Sequence, residues 1–458
     1  MAIIRRKFTK FVFICCLSVC ILMVYFYTQA VSSVIQFTAR YSDAKGQSVD
    51  IPLPHLPKDV LLFDSGPKHE EQQRRARERY DNKNIPAAQA QHVPVKITNT
   101  TLNSYRALPH IEGLMETNKI MHDDYNFCPR IEPFLGSYNY NSQTKNPCWM
   151  DNGVFRCVPY FYIAGFSKCG TSDLYYKLAH HPDVLATGWK EKHWFDYNRF
   201  AEDMRFIQNY TDMFKDMSTK IEADFNKNGY SRKITGDGTP CYVWGSLNWP
   251  CYEGNEGLSE PRYTNADIIY RLNPNTKIII CLREPVSRLY SRLLTWIDEP
   301  LHPVYKNASP ISFHNFIVER IAMHEDCFKR WSIRHCAYNG TLYQEAVLRL
   351  MESAYSVYVR DWLKVFPRQQ ILFIRFEDYV TNLDDTLKKV FSFLELAPLP
   401  EETMQKMLNS GTANVGKHYN FGPMLNETRY ILREFYQQFN DELAEMLNDA
   451  DFNWNTIY

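Results

Sequence analysis

The 458-residue sequence lacks net charge: 52 lysines and arginines balance 52 aspartates and glutamates. No global field therefore attracts nucleic acid, and a polyanionic partner needs a local basic patch. The sequence has no internal repeat, and no C-x-x-C pair that would suggest zinc. Its clearest charge-free apolar run is "FVFICCLSVCILMVYFY", seventeen residues from Phe11 to Tyr27. That length is at the short end of a membrane span. Arg5, Arg6, Lys7 and Lys10 precede it, which places residues 1–10 in the cytoplasm and the remainder in the lumen. A cleaved signal peptide also begins basic and then apolar. The bulky "MVYFY" end favours an uncleaved anchor over 11–28, of a length that suits the thinner early secretory membranes.

Hydrophobic residues make up 45% of the chain and aromatic residues 15%, enough for a substantial core. Residues 29–110 read as a charged stem without an apolar periodicity, and 111–458 as the folded domain. Of twelve cysteines, Cys15, Cys16 and Cys20 lie in the apolar run; the other nine face a lumen where disulfides form. The close pairs Cys327/Cys336 and Cys241/Cys251 are candidates, with a third bridge from two of Cys128, Cys148 and Cys157. Cys169 and Cys281 read as free thiols. Sequons at Asn99, Asn209, Asn307, Asn339 and Asn426 suit a lumenal glycoprotein.

From Val158 onward strand and helix signals alternate, which implies an α/β fold with a parallel sheet covered on both faces. "VPYFYIAG", "DVLAT", "TKIIICL" and "QQILFIRFEDY" read as strands. "TSDLYYKLAHHP", capped by Thr171 or Ser172, and "PVSRLYSRLLTWI" read as helices. "NLDDTLKKVFSFLEL" reads as another, and "TLYQEAVLRLMESAYSVYVRDWLKVF" as one long helix. Ligands in such folds bind at the carboxyl ends of strands.

Two loops sit there. In "GFSKCGTSDLY", Gly165 and Gly170 are five apart, as in the loop that cradles nucleotide phosphates. Yet Thr171 stands where that loop needs lysine, and the lysine, Lys168, lies inside the turn. Backbone N–H groups, the Thr171 and Ser172 hydroxyls and the helix dipole can still bind an anion. In "CLREPVSRLYSRLL", Arg283 ends a strand and Ser291 follows eight residues on, so the two can grip a second phosphate. Arg288 and Arg292 share a helix face. A strand ending in arginine instead of aspartate argues for a second anion rather than a metal, unlike a nucleoside-triphosphate enzyme. Two separated anion grips match 3′-phosphoadenosine 5′-phosphosulfate (PAPS).

"FSKCGTSDLY" and "LREPVSRLYS" resemble the 5′-phosphosulfate loop and the 3′-phosphate motif R-[DE]-P-x-x-R-x-x-S of carbohydrate sulfotransferases. The likeness continues through "GWKEKHWF" and "GPMLNETRYILREFYQQFN". It implies a P-loop-like sulfotransferase fold, a central parallel sheet flanked by helices behind an N-terminal transmembrane helix and stem. It implies PAPS as co-substrate without a metal. Lys168 would contact the sulfuryl group and leaving phosphate; Cys169, Gly170, Thr171 and Ser172 would line the 5′ site; Arg283 and Ser291 would bind the 3′-phosphate. Lys417, in "NVGKHYNFGP", would add a contact from a C-terminal loop. Glu191 matches the family base, Lys190 lies beside the reacting groups, and His193 is the rival base. "GDGTP", Gly236 to Pro240, resembles a segment near acceptor or cofactor and is equally readable as a turn. The implied setting is the Golgi membrane, single-pass type II. The implied acceptor is a sulfated glycosaminoglycan, chondroitin or dermatan sulfate modified at C6 of a 4-sulfated N-acetylgalactosamine. Lys192, Arg199, Arg205, Arg292, Arg330 and Arg334 are candidates for its basic groove. Other readings stay open: a sulfotransferase for another glycan such as heparan sulfate, a phosphate-transferring P-loop enzyme, or a non-catalytic lumenal glycan-binding protein. The oligomeric state does not follow from the residues.

Overall fold

The computed structural model describes residues 138–201, 203–298, 309–345, 349–413 and 421–454. The expected cytoplasmic tail, membrane anchor and stem, and Lys417, lie outside those residues. No helix among the described residues is long and apolar enough to cross a membrane.

Five strands form one parallel sheet: β3 (Phe161–Gly165), β4 (Val184–Leu185), β5 (Ile234–Asp237), β6 (Lys277–Leu282) and β7 (Ile371–Arg375). Their order is β4-β5-β3-β6-β7. From β3 the chain crosses to the edge strand β4, comes back to insert β5 between the two, then passes to the other side of β3 to add β6 and β7. The strand order therefore reverses between β3 and β6, and a crevice opens at their carboxyl ends. Every residue of β3 is buried, and β6 is buried beyond Lys277, as expected for strands covered on both faces. An antiparallel hairpin, β1 (Cys148–Asp151) and β2 (Val154–Cys157), precedes the sheet. It turns through Asn152 and Gly153, both at positive φ, and Cys148–Cys157 clasps its open end.

The flanking helices used below are α1 (Thr171–Leu178), α2 (Asn265–Leu272), α3 (Pro285–Asp298), α4 (Pro310–Arg330), α5 (Tyr355–Val365), α6 (Leu383–Phe393) and α7 (Asn426–Leu447). Thr264 starts α2 with a capping box to Asp267. The expected single helix through "TLYQEAVLRLMESAYSVYVRDWLKVF" is broken. A helical turn at Leu350–Ser353 separates Gly340–Glu345 from α5. Its cause is tertiary: Glu352 and Ser353 turn inward to meet the buried Arg288 on α3. Likewise "FEDY" is not strand but a short helix, Phe376–Thr381, continuing from β7.

Cys327–Cys336 is bridged as expected, whereas Cys241–Cys251 is not. Cys251 is disulfide-bonded but Cys241 is a free thiol in the turn Pro240–Val243, packed close to His193 and Asp196. Cys169 and Cys281 are buried free thiols.

Glycine is required in β5. A Cβ on Gly236 would lie 2.3 Å from the buried ring of Phe161, its partner on β3. Gly236→Ala is expected to destabilise the domain by about 1–3 kcal/mol through overpacking. The check is a lower urea midpoint with an unchanged slope.

Candidate active site

The first anion loop follows β3. Lys168 adopts φ 65° and Gly170 φ 80°. A Cβ on Gly170 would press to 3.0 Å on Phe376, so the tight approach there needs glycine. Neither Thr171 nor Ser172 caps the helix. Gly170 occupies the N-cap, and no side chain caps α1. Its first-turn N–H groups are thus left for another acceptor, the arrangement that suits an anion. Asp173 accepts from Tyr379 Oη at 2.5 Å and from Ala413 N at 2.9 Å, which fixes the helix to its neighbours. The Cys169 side chain is buried and its thiol turned back toward Ser167 O.

Because β3 and β6 are neighbours, the loop after β6 meets the first one. Arg283 Nη1 donates to Lys168 O at 3.2 Å, and its guanidinium lies 4.6 Å over Phe376. Glu284 then caps α3, its carboxylate accepting from Val286 N and Ser287 N at 3.0 and 2.7 Å. This turns the helix so that Arg283 and Ser291 face one cavity of about 280 Å³. Tyr290 and Arg429 complete its wall. The sequence offered no signal for Arg429, which arrives on α7 from far along the chain. Arg288 does not share an exposed face with Arg292. It is fully buried, 3.0 Å from Glu352, and its Nε donates to Ser353 at 2.5 Å and Nη1 to Ser167 at 3.3 Å. A guanidinium so placed braces the first loop against the second.

The third segment, "KEKHWFD", has no regular structure. Thr239 Oγ1 holds it, accepting from Lys192 N at 2.8 Å and His193 N at 3.2 Å. Thr239 in turn donates to Asp237 Oδ1 at 2.6 Å, and Tyr210 and Tyr242 donate to Asp237 Oδ2 at 2.8 and 3.0 Å. "GDGTP" is thus a buried bracket, not a surface turn. Gly238 admits Lys190, whose Cγ would be 2.8 Å from a Cβ there.

Held this way, Lys190 Nζ lies 3.5 Å from Thr171 Oγ1 and donates to Glu191 Oε1 at 2.9 Å. Glu191 Oε2 is 3.2 Å from His193 Nε2, and His193 Nδ1 is 2.7 Å from Asp196 Oδ2. The chain Lys190–Glu191–His193–Asp196 runs from the anion loop to a buried carboxylate. Both imidazole nitrogens are engaged. Of the two carboxylates bonded to the ring, Glu191 faces solution, with 34% of its side chain exposed against 6% for Asp196. Asp196 was not read from the sequence, although its spacing, three residues after His193, was available. His193 sits at φ 50° and stacks on Tyr197, with ring centroids 4.9 Å apart. That strained backbone persists because Thr239 and Asp196 over-determine it.

Burial opposes charge on both Glu191 and His193, but their partners outweigh it. Hydrogen bonds from His193 and Lys190 hold Glu191 down at about 2. Bonds to Asp196 and Glu191 lift His193 to about 9. Burial raises Asp196 despite its bond to His193. At neutral pH the centre is therefore an ionised carboxylate clasped between two cations.

Two expected groove residues are not on a groove. Lys192 is buried and donates to Trp189 O at 2.7 Å, and Arg199 is buried among the rings of Trp194, Phe200 and Tyr252. Arg334 is committed to Asp361 and Glu260.

The linkage signs follow. His193, raised when folded, contributes stability in full below its unfolded value near 6.5, and loses it as pH rises through about 9. Glu191, depressed, contributes in full above about 4.5 and loses it as pH falls through about 2. Between about pH 7 and 10 the thermal midpoint is expected to fall more for the native protein than for His193→Gln, read by scanning calorimetry. Parallel curves would show that the imidazole carries no such linkage.

A parallel sheet with an uncapped helix start and an arginine-bearing loop at its switch point, and a charged relay beside them, is the architecture of the sulfotransferase class of group-transfer enzymes. The chain belongs to that family: the model described as "Sulfotransferase domain" matches residues 159–429. Carbohydrate sulfotransferase 15 of Homo sapiens is 36% identical to this chain over 317 residues, 66% of this chain and 55% of that protein. The Mus musculus protein of the same name is 35% identical over the same shares. The chain thus spans about half the length of these curated relatives. Heparan sulfate glucosamine 3-O-sulfotransferase 3A1 of Mus musculus is 24% identical over 67% of this chain and 66% of that protein. Among solved structures, a sulfotransferase from Alicyclobacillus acidocaldarius matches with TM-score 0.39 and 21% identity, over 64% of this chain and 96% of that one.

Proposed function

We propose that this protein transfers a sulfuryl group from PAPS to a hydroxyl of a sulfated glycosaminoglycan. The observation that carries the reading is the placement of Lys190 and Glu191 against the uncapped anion loop, with the Arg283–Ser291 cavity beside it. Two anion sites at adjacent strand ends fit a donor with two separated anionic groups. The tight cradle at Gly170 and the arginines lining the cavity are what such a donor requires.

The donor supplies a sulfur already activated by its phosphate leaving group. Arg283, Ser291 and Arg429 bind the 3′-phosphate, with Lys417 as a further contact, and so position the reacting end. Gly170, Thr171 and Ser172 with the loop backbone hold the 5′ end. The acceptor oxygen attacks sulfur in line, the sulfur–oxygen bond to the phosphate breaks, and the hydroxyl proton passes to Glu191. Lys168 offsets the charge left on the bridging oxygen. Glu191 is preferred to His193 as the proton acceptor because Asp196 and Glu191 lift the imidazole to about 9, so that at neutral pH both of its nitrogens carry protons. Glu191, by contrast, is an ionised carboxylate whose oxygens keep further lone pairs. With a pKa of about 2 at rest, Glu191 gains a proton only as the forming bond acidifies the hydroxyl. The His193 imidazolium, which loses the Glu191 charge in that step, keeps its pairing with Asp196.

The acceptor reading is chondroitin or dermatan sulfate, at C6 of a 4-sulfated N-acetylgalactosamine. It rests on the resemblance of "FSKCGTSDLY", "LREPVSRLYS" and "GWKEKHWF" to carbohydrate sulfotransferases; the 36% identity to a protein named carbohydrate sulfotransferase 15 supports a carbohydrate acceptor. The setting is the Golgi lumen, behind a single N-terminal anchor, with glycans on some of the sequons. The apolar run and its basic flank support that topology.

Labelled PAPS and a panel of sulfated and desulfated glycosaminoglycans test the reading. Label is expected on 4-sulfated galactosaminoglycan and not on heparan sulfate; absence of both transfer and donor binding would reject the enzyme. Lys168→Ala and Glu191→Gln are expected to lower kcat by about 10²–10⁴. An active Glu191→Gln beside an inactive His193→Ala would move the base to His193. Arg283→Ala is expected to raise KM for PAPS while the order of acceptor preference stays fixed.

A further inference from the structure

We propose that His193, Asp196 and Cys241 form a binding site for zinc, and that zinc bound there switches off the adjacent proton-transfer centre. One ligand atom from each residue, an imidazole nitrogen, a carboxylate oxygen and the thiol sulfur, lies within 4.8 Å of the other two. Within the cluster, His193 Nδ1 and Asp196 Oδ2 are 2.7 Å apart. Asp196 is 7% exposed, and its second oxygen, Oδ1, is buried with no well-formed hydrogen bond, although the backbone N–H groups of Asp196 and Tyr197 lie toward the carboxylate. A buried acceptor so weakly satisfied is costly, and a cation would complete it. Cys241 is a free thiol in a partly buried residue; burial raises the thiol well above its ordinary value, so a metal must displace its proton.

The donor set chooses the metal. Imidazole, carboxylate and thiolate together suit zinc, whereas magnesium and calcium take oxygen ligands. Bonds of about 2.0–2.3 Å in a tetrahedron put ligand atoms about 3.3–3.8 Å apart. The widest separation must therefore close by roughly 1 Å, while His193 Nδ1 and Asp196 Oδ2 must part from 2.7 Å to about 3.3 Å. Three protein ligands leave the fourth position for water. Zinc on Nδ1 takes the place of the proton shared with Asp196; Nε2–H still donates to Glu191, but the dication behind the ring and the shift of the ring toward Cys241 make that carboxylate a poorer proton acceptor. The inhibitory part rests on the sulfuryl-transfer reading given above; the binding part does not.

Cobalt(II) is the spectroscopic probe. Titrated into the purified full chain, it is expected to give one equivalent of a four-coordinate visible spectrum with a thiolate-to-metal charge-transfer band. Zinc should bleach that spectrum, and Cys241→Ser should lack the charge-transfer band. In the native protein, zinc should shield Cys241 from iodoacetamide, read by peptide mass. A cobalt spectrum without the thiolate band, a band that survives in Cys241→Ser, or alkylation indifferent to zinc would each overturn the site. For inhibition, Cys241→Ser is expected to keep the native rate and to need at least tenfold more zinc for half-inhibition. Equal sensitivity of both proteins would overturn the switch. The spectra and the alkylation decide the site whether or not the chain transfers sulfate.

Discussion

One hydroxyl organises the catalytic region. Thr239 Oγ1 accepts from two backbone N–H groups of the irregular "KEKHWFD" segment and donates its own O–H to the buried Asp237. A loop with no helix or ladder must find partners for its backbone elsewhere, and this side chain provides them. Asp237 is rigid because it ends β5 and takes further donors from Tyr210 and Tyr242. The sheet thereby dictates where Lys190, Glu191 and His193 stand relative to the loop after β3. Gly236 and Gly238 serve the same end by letting Phe161 and Lys190 approach closely.

The second constraint is electrostatic. The chain as a whole is neutral, yet the proposed donor and acceptor are both polyanions. The structure concentrates cations where anions are to arrive: Arg283 and Arg429 line the cavity and Lys190 reaches the loop after β3. Other cations are withdrawn from the surface, such as Arg288, which is neutralised by Glu352 in the interior. Removing one member of such a buried pair leaves an uncompensated charge, typically a loss of about 3–5 kcal/mol. Arg288 thus ties stability to site geometry, since its guanidinium also reaches Ser167 in the first anion loop.

Much of the fold was legible. β3, β6 and β7 are dense apolar runs, and a parallel strand buried on both faces announces itself that way. β5 was harder, because "ITGD" is short and owes its strand to pairing with β3 and β4. The helix expected across residues 341–366 failed because local periodicity knows nothing of Arg288, which draws Glu352 and Ser353 inward. The free state of Cys241 was equally hidden. Closeness in sequence to Cys251 favoured a bridge, but packing sets the thiol beside His193 and Asp196.

The sequence by itself determined the alternation of strands and helices, and it put forward Lys168, Glu191, His193, Arg283 and Ser291 as candidates, because local spacing, residue chemistry and likeness to a family can all be read without a fold. Only the tertiary structure decided that both anion loops meet at the switch between β3 and β6. It alone recruited Asp196, Thr239 and Arg429, and turned Lys192, Arg199 and Arg288 into interior struts. The reason is physical: hydrogen bonding and burial act on distances in space, and residues that meet across a parallel sheet are joined by long crossovers that leave no periodicity in the sequence.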